Sequence, residues 1–191
     1  MGSEILHEDP SAWTVLKKII AYASLACLIG ALILVWMLLR KPSYPFPEAN
    51  DAAAQSFNDK VLRLLAANEY GMPVEMHFTA DELNSQIQQW LRANPPPAGA
   101  ATMKNGAIHF EGDRMVVLLA FDVRGFDVYM TIDGHLTYVG HFARLDPSEV
   151  HIGRVPVPVT LLEGKIDLQM ELPEAVTALR VEGGELVIEA Q

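Results

Sequence analysis

Residues 19 to 39, IIAYASLACLIGALILVWMLL, carry no charge, and Lys17-Lys18 and Arg40-Lys41 bracket them. At ~1.5 Å rise per residue, a helix over this run is about 31 Å long, close to the hydrocarbon thickness of a bilayer. A Lys or Arg at mid-bilayer costs on the order of 3 kcal/mol, so the basic pairs mark where the span stops. Tyr22 and Trp36 fall near its two ends, where amphipathic rings favour the headgroup region. The run exceeds the roughly 7–15 apolar residues of a signal peptide, and it ends in bulky Trp36-Met37-Leu38-Leu39 instead of a small-residue cleavage site. The pattern therefore predicts an uncleaved anchor. Ser24-Leu25-Ala26-Cys27 resembles a lipoprotein cleavage site only superficially, since apolar residues continue well past Cys27.

After the span, Pro42-Ser43-Tyr44-Pro45-Phe46-Pro47 predicts a stiff, extended spacer that holds the following domain off the membrane. Ala54, Phe57, Val61, Leu64 and Leu65 then recur at helical spacing from Glu48 to about Asn68, and Gly71 and Pro73 end the pattern. Val74, Met76 and Phe78 alternate with Glu75 and His77 as in a half-buried strand. Thr79 to Glu82 has the form of a capping box, opening a helix to about Arg92 whose packing face is Leu83, Ile87, Trp90 and Leu91. Asn94-Pro95-Pro96-Pro97-Ala98-Gly99 predicts an exposed loop.

From Ala101 the period changes to two, predicting strands. Ala107 to Phe110 turns through Glu111-Gly112-Asp113 into Met115 to Val123, of which 115–121 is apolar at every position and needs cover on both faces. Phe126 to Ile132 alternates, Leu136 to Val139 continues that strand or begins another, and Val150 and Ile152 close a further strand. Val159, Leu162, Ile166 and Met170 have helical spacing, and Val176–Val181 with Leu186–Ile188 predicts a hairpin through Glu182-Gly183-Gly184. The sum is an α+β chain: one N-terminal transmembrane helix, then a curved, mainly antiparallel sheet with two or three helices packed on it. Its expected divisions are a short cytoplasmic N-terminus 1–18, the span 19–39, the spacer 40–47 and an extracytoplasmic domain 48–191.

Charge narrows the partners. The chain has 14 Lys+Arg and 24 Asp+Glu, and beyond residue 41 the balance is 10 basic to 21 acidic. That field repels nucleic acid, so none is expected as a partner. The single cysteine, Cys27, lies inside the span and permits no intrachain disulfide. His109, His135, His141 and His151 fall in the strand region, but no pair has the tight spacing of a zinc site, so neither metal nor cofactor is expected. Asp122, Asp127 and Asp133 offer paired carboxylates for acid–base work. In so acidic a chain they read first as solvated strand-face residues. No nucleophile, zincin, Walker or dinucleotide motif is present, and no enzyme is expected.

The apolar strand 115–121 reads first as a packed central strand. A second reading gives one of its faces to an elongated groove for an acyl chain, with Leu118 and Phe121 in it and Tyr129, Tyr138 and Phe142 at the rim.

Two segments resemble a bacterial family. Phe78-Thr79-Ala80-Asp81-Glu82-Leu83-Asn84 is similar to the "TxEELN" strand-to-helix junction of the YpmS-like extracytoplasmic proteins, which are small and carry an N-terminal anchor. His151-Ile152-Gly153-Arg154-Val155-Pro156-Val157-Pro158 resembles that family's later "IGxxPxP" element. The resemblance implies a curved sheet with helices on it and no established enzymatic activity, and the terminal Glu182-Gly183-Gly184 hairpin departs from it. Within these motifs Thr79, Glu82, Asn84, Gly153, Pro156 and Pro158 read as structural: caps, a tie to a neighbouring loop, a tight bend and an edge that cannot pair fully.

The expected protein is thus a single-pass, non-catalytic module of the bacterial inner membrane. Its C-terminal domain is extracytoplasmic, the bilayer is its partner through residues 19–39, and a lipid or another apolar ligand is its cargo. The alternative is an assembly subunit of an envelope complex, for which Ala26 and Gly30 supply a small-residue pair for helix contact.

Overall fold

The computed structural model describes residues 12–95, 101–161 and 169–191. They form two compact units that divide between Met37 and Leu38. The first is helix α1, Ala12–Leu38. Its stretch Ile19–Leu38 has a mean hydropathy of 2.4 and none of it is buried. This helix is long and apolar enough to span a membrane.

The second unit is α+β, as the pattern predicts. Helix α2 is Asp51–Glu69 and helix α3 is Ala80–Ala93. The strands are β1 Val74–Thr79, β2 Thr102–Glu111, β3 Arg114–Val123, β4 Phe126–Val139, β5 Phe142–Ile152, β6 Val155–Pro156, β7 Gln169–Glu171, β8 Val176–Glu182 and β9 Glu185–Ala190. Instead of one sheet there are two. One has three strands in the order β1-β9-β8, and the other has six, ordered β2-β3-β4-β5-β6 with β7 also on β5. Every pairing is antiparallel. The helical spacing from Val159 to Met170 does not give a helix at either described end. Val159–Leu161 is a single 3-10 turn, and Met170 lies on β7 opposite Ala143. That end of β5 has an open edge that β7 fills; Leu162 and Ile166 lie outside the described residues, as do residues 96–99 of the Pro-rich loop.

Strand alternation and register sort the large sheet into two faces. One carries the core cluster of Ile132, Leu145 and Val150 with Met115, Val117 and Met130, covered by Val157 and Val159 from the chain after β6. The Tyr138 hydroxyl on this face donates to the Val176 carbonyl and so ties β4 to β8 of the other sheet. The opposite face carries Val116, Leu118 and Ala120, all buried, beside Tyr129. Here the 42–47 segment lies on the protein instead of standing free. Tyr44 stacks on His109 with ring centroids 5.3 Å apart, and Phe46 on Tyr129 at 6.1 Å. The three prolines keep it extended, but its aromatic rings give it apolar area to bury, and a free tether would leave that area in water. We refer to it as the strap.

Strand β4 runs unbroken through Gly134 because the β4–β5 register slips there. A Cβ on Gly134 would run into the Asp146 carbonyl and come within 2.9 Å of the Pro147 Cα. Gly134→Ala is therefore expected to cost about 1–3 kcal/mol, read as a lowered urea midpoint of the full chain in mild detergent. An unchanged midpoint would show that the backbone gives way freely at the bulge.

Helix α3 begins where the sequence places it. Thr79 Oγ1 accepts from the Glu82 amide at 3.3 Å, and Glu82 Oε2 accepts from the Thr79 amide at 2.9 Å. Of its expected packing face, Leu91 is buried and Leu83 and Ile87 are half-buried, but Trp90 is exposed and Asn84 is buried in its stead. Asn84 Nδ2 donates to the Ile108 carbonyl at 2.8 Å, and Asn84 Oδ1 accepts from the Ile108 amide at 2.6 Å. One turn on, Gln88 donates to the Gly106 carbonyl at 3.0 Å. The two amides thus satisfy the exposed edge of β2 as a neighbouring strand would. At ~100° per residue, turning Asn84 and Gln88 inward puts Trp90 roughly 120° away from Asn84, and Trp90 is 56% exposed. Leu65 likewise falls outside the α2 stripe and is half exposed, because Leu64 takes the inward position beside it.

Candidate functional site

The strap roofs a pocket of about 310 Å³ on the face of the large sheet that bears Val116. Lys41, Pro42, Ser43 and Tyr44 form its roof. Its floor is Val116 of β3 with Thr131 and Asp133 of β4, and its far wall is Glu149, His151, Gly153 and Arg154 along and just after β5. Cross-strand pairing explains the gathering: Asp133 is opposite Glu149, Thr131 opposite His151, and Val116 opposite Asp133. Gly153 has φ +60° at the tight turn into β6, a conformation that favours glycine, and its amide donates to the Tyr129 carbonyl at 2.7 Å.

A hydrogen-bonded relay runs from the roof to the floor. The Tyr44 hydroxyl donates to Glu111 Oε1 at 2.6 Å. Arg114 donates to the other Glu111 oxygen at 3.1 Å and to Asp133 Oδ2 at 2.6 Å. The Glu111 bond, with desolvation, raises the Tyr44 phenol above its ordinary pKa, so the roof keeps its proton. The His109 Nε2 donates to the Pro45 carbonyl at 3.1 Å and holds the strap a second time. The relay leaves one group unanswered: Asp133 Oδ1 is buried and accepts no hydrogen bond from the protein. Among the described residues, neither Lys41 nor Arg154 makes an ion pair. The pocket therefore offers two exposed cations and, with Glu149, two carboxylates to whatever enters it.

The groove residues do not meet in one place. Alternation puts Leu118, Tyr129 and Phe142 on the strap face, and Phe121 and Tyr138 on the core face. Leu118 has no exposed surface, Tyr129 is buried against Phe46, and Phe142 is 40% exposed at the far hairpin. Leu118 and Phe121 are three residues apart on β3, and Tyr129 and Tyr138 nine apart on β4, so alternation within each strand already puts the two members of each pair on opposite faces. The motif residues separate too. Thr79, Glu82 and Asn84 are at α3, whereas Gly153 is in the pocket wall, Pro156 is on the edge strand β6, and Pro158 precedes the 3-10 turn.

Of the carboxylates weighed for acid–base work, Asp122 and Asp127 face each other and share Lys104 at 2.9 and 2.7 Å. Lys104, with the Gly125 amide, holds Asp122 below its ordinary pKa, which favours a standing anion over a proton carrier. Of the four strand histidines, His109 is under the strap, His151 is in the pocket, His135 is 3.7 Å from Asp113, and His141 is in the β4–β5 turn. Among the described residues, no three His, Cys, Asp or Glu side chains come together as a metal set.

A second charged surface lies on the small sheet. Arg180 pairs with Glu75, Glu182 and Glu189, while His77 meets Glu75 at 2.9 Å and Glu185 at 3.2 Å. The Glu75 hydrogen bond, then Glu185, raises His77 above its ordinary 6.5. Its stabilising charge is therefore fully present below pH 6.5 and is lost as pH rises through the higher folded value. A histidine-ring NMR titration is expected to give His77 a midpoint above 6.5, and Glu75→Gln should move it down. A wild-type midpoint at or below 6.5 would contradict the pairing.

Lys41, Ser43, Tyr44, Thr131, Glu149 and Arg154 carry no motif of their own as site residues. The one sequence signal is that Lys41 and Arg154 are basic residues in an acidic chain, the first flanking the span and the second inside the segment that resembles a family element. Comparison of the chain with protein-family models, with curated proteins and with solved structures matched none.

Proposed function

We propose that this chain is a single-pass, non-catalytic binding module of the bacterial inner membrane. Its C-terminal unit is extracytoplasmic and holds a small ligand in the pocket beneath the strap. The observation that carries this reading is the pocket itself, roofed by residues that follow the charge-free run directly: Lys41 comes two residues after Leu39. A site so placed in the chain is suited to a ligand from the membrane or its surface. The likeness of the two motifs to the YpmS-like proteins agrees with this plan. An acyl chain along β3 has less support, because the sheet separates the five residues that would line its groove.

The test is native mass spectrometry of the full chain extracted from membranes in mild detergent. We expect a bound small molecule on the wild type and none on Ser43→Trp, which fills the roof from an exposed position. A bound species that persists in Ser43→Trp, or a bare wild type, would overturn the reading.

One observation favours the assembly alternative. Leu62 and Leu65 on α2, with Tyr70 and Met72 just after it, are each at least half exposed. An apolar strip of this kind suits a protein contact. Chemical cross-linking in membranes that joins α2 to another protein would support that role.

A further inference from the structure

The pocket's charges discriminate among ligands, and from them we infer that it recognises a phosphate ester joined by a short linker to a primary ammonium, the chemistry of a phosphoethanolamine headgroup. This inference rests on the pocket being the binding site. Lys41 and Arg154 have no ion-pair partners among the described residues and line the same cavity. Arginine matches phosphate oxygens with paired N–H donors, and lysine adds a point charge. An anion alone would leave the pocket's other half unexplained. Asp133 and Glu149 sit opposite each other across β4 and β5, and both line the cavity. Among the described residues Glu149 has no ion-pair partner, and Asp133 Oδ1 is a buried acceptor with no hydrogen bond. Arg114 answers one oxygen of Asp133, but Glu149 and the open Asp133 oxygen still disfavour a simple phosphate, whereas a ligand carrying an ammonium places a donor and a cation beside them.

The ammonium is primary because an unsatisfied buried carboxylate oxygen calls for a hydrogen-bond donor. A quaternary ammonium has no N–H, and it is recognised instead by aromatic cages. Among the described residues, Tyr44 is the only tyrosine, tryptophan or phenylalanine in the lining. Size points the same way: about 310 Å³ stands at the small end of ligand pockets, roughly 300–1,000 Å³, which suits a headgroup and not a pair of acyl chains. The same chemistry is available from a phosphatidylethanolamine in the bilayer and from soluble O-phosphoethanolamine.

The experiment follows the ring signals of His151, in the pocket wall, by NMR of the full chain. One arm uses nanodiscs of phosphatidylcholine with and without added phosphatidylethanolamine. The other adds O-phosphoethanolamine, phosphocholine or inorganic phosphate to the chain in detergent. We expect a saturable shift with the ethanolamine compounds, about tenfold or more weaker binding of phosphocholine and phosphate, and a similar loss in Arg154→Glu and in Glu149→Gln. Both substituted residues are exposed, so neither change threatens the fold. A response confined to nanodiscs assigns the source to the bilayer. A response to the soluble compound alone assigns it to a free solute, and either supports the inference. Equal binding of phosphocholine or phosphate, binding undiminished by Glu149→Gln, or no response to any probe overturns it. The pocket reading is decided separately: a different small molecule displaced by Ser43→Trp would leave that reading standing while the headgroup inference fails.

Discussion

Replacing Glu82 with alanine is expected to destabilise the Leu38–Gln191 unit by about 3–5 kcal/mol, the range for breaking a buried charge pair from one side. Glu82 is 5% exposed and serves as the hub of three elements. It accepts from Lys60 at 2.8 Å and from the Ser56 hydroxyl on α2, and from the Thr79 amide at the end of β1. Alanine strands the Lys60 ammonium, already committed to the His77 carbonyl and the Phe78 ring, beside an apolar void. Burial alone would push the Glu82 carboxyl up, but Lys60, Ser56 and the Thr79 amide outweigh it and bring it below its ordinary 4.5. A carboxylate with a lowered folded pKa stabilises fully above pH 4.5, and that stability is lost as pH falls through the folded value. Urea denaturation of the full chain in mild detergent, followed by circular dichroism at pH 7 and again below pH 4, measures both effects. Glu82→Ala should lose most at pH 7 and show a flatter acid dependence than the wild type. A loss under 1 kcal/mol at pH 7 would mean that Lys60 finds water instead.

Asn84→Leu is the second large effect, expected at about 2–5 kcal/mol. It leaves the part-buried Ile108 amide and carbonyl without these partners, at about 1–3 kcal/mol each. Leucine keeps the branched outline of asparagine but is larger, so no cavity opens and the loss combines the missing hydrogen bonds with some overpacking at a buried site. The outcome is also local. Hydrogen exchange at the Ile108 amide should accelerate with the global stability change removed, because the β2 edge is no longer covered. Protection that falls only in step with global stability would show that water or Gln88 replaces the amide.

Much of the unit was legible because local chemistry decided it. Thr79 and Glu82 cap α3 through their own side chains, and the Glu182-Gly183-Gly184 turn closes β8 on β9. The α+β order came from the change of period at residue 101. What stayed hidden depends on tertiary pairing. Trp90 has the right spacing for a packing face, yet α3 turns its amides to the β2 edge because that edge has no other strand. Met170 has helical spacing from Val159, yet β5 claims it as a strand. The pocket was the least legible feature: its lining comes from the strap, β3, β4 and β5, and only register places Asp133 opposite Glu149. The 42–47 segment shows the same limit. Its prolines predict an extended chain correctly, while its docking depends on His109 and Tyr129 from strands far along the sequence.

The charge-free run and the strap are continuous in the chain, so the ligand proposed to lie under the strap is what would link a helix able to span a membrane to a function. The decisive measurement is photo-cross-linking in membranes, with a photoreactive amino acid at Ser43 of the full chain and mass analysis of the adduct. We expect a covalent adduct of small-molecule mass, competed away by excess O-phosphoethanolamine or diminished in Arg154→Glu. An adduct to another protein alone, or none, would contradict a ligand beneath the strap and favour the assembly role.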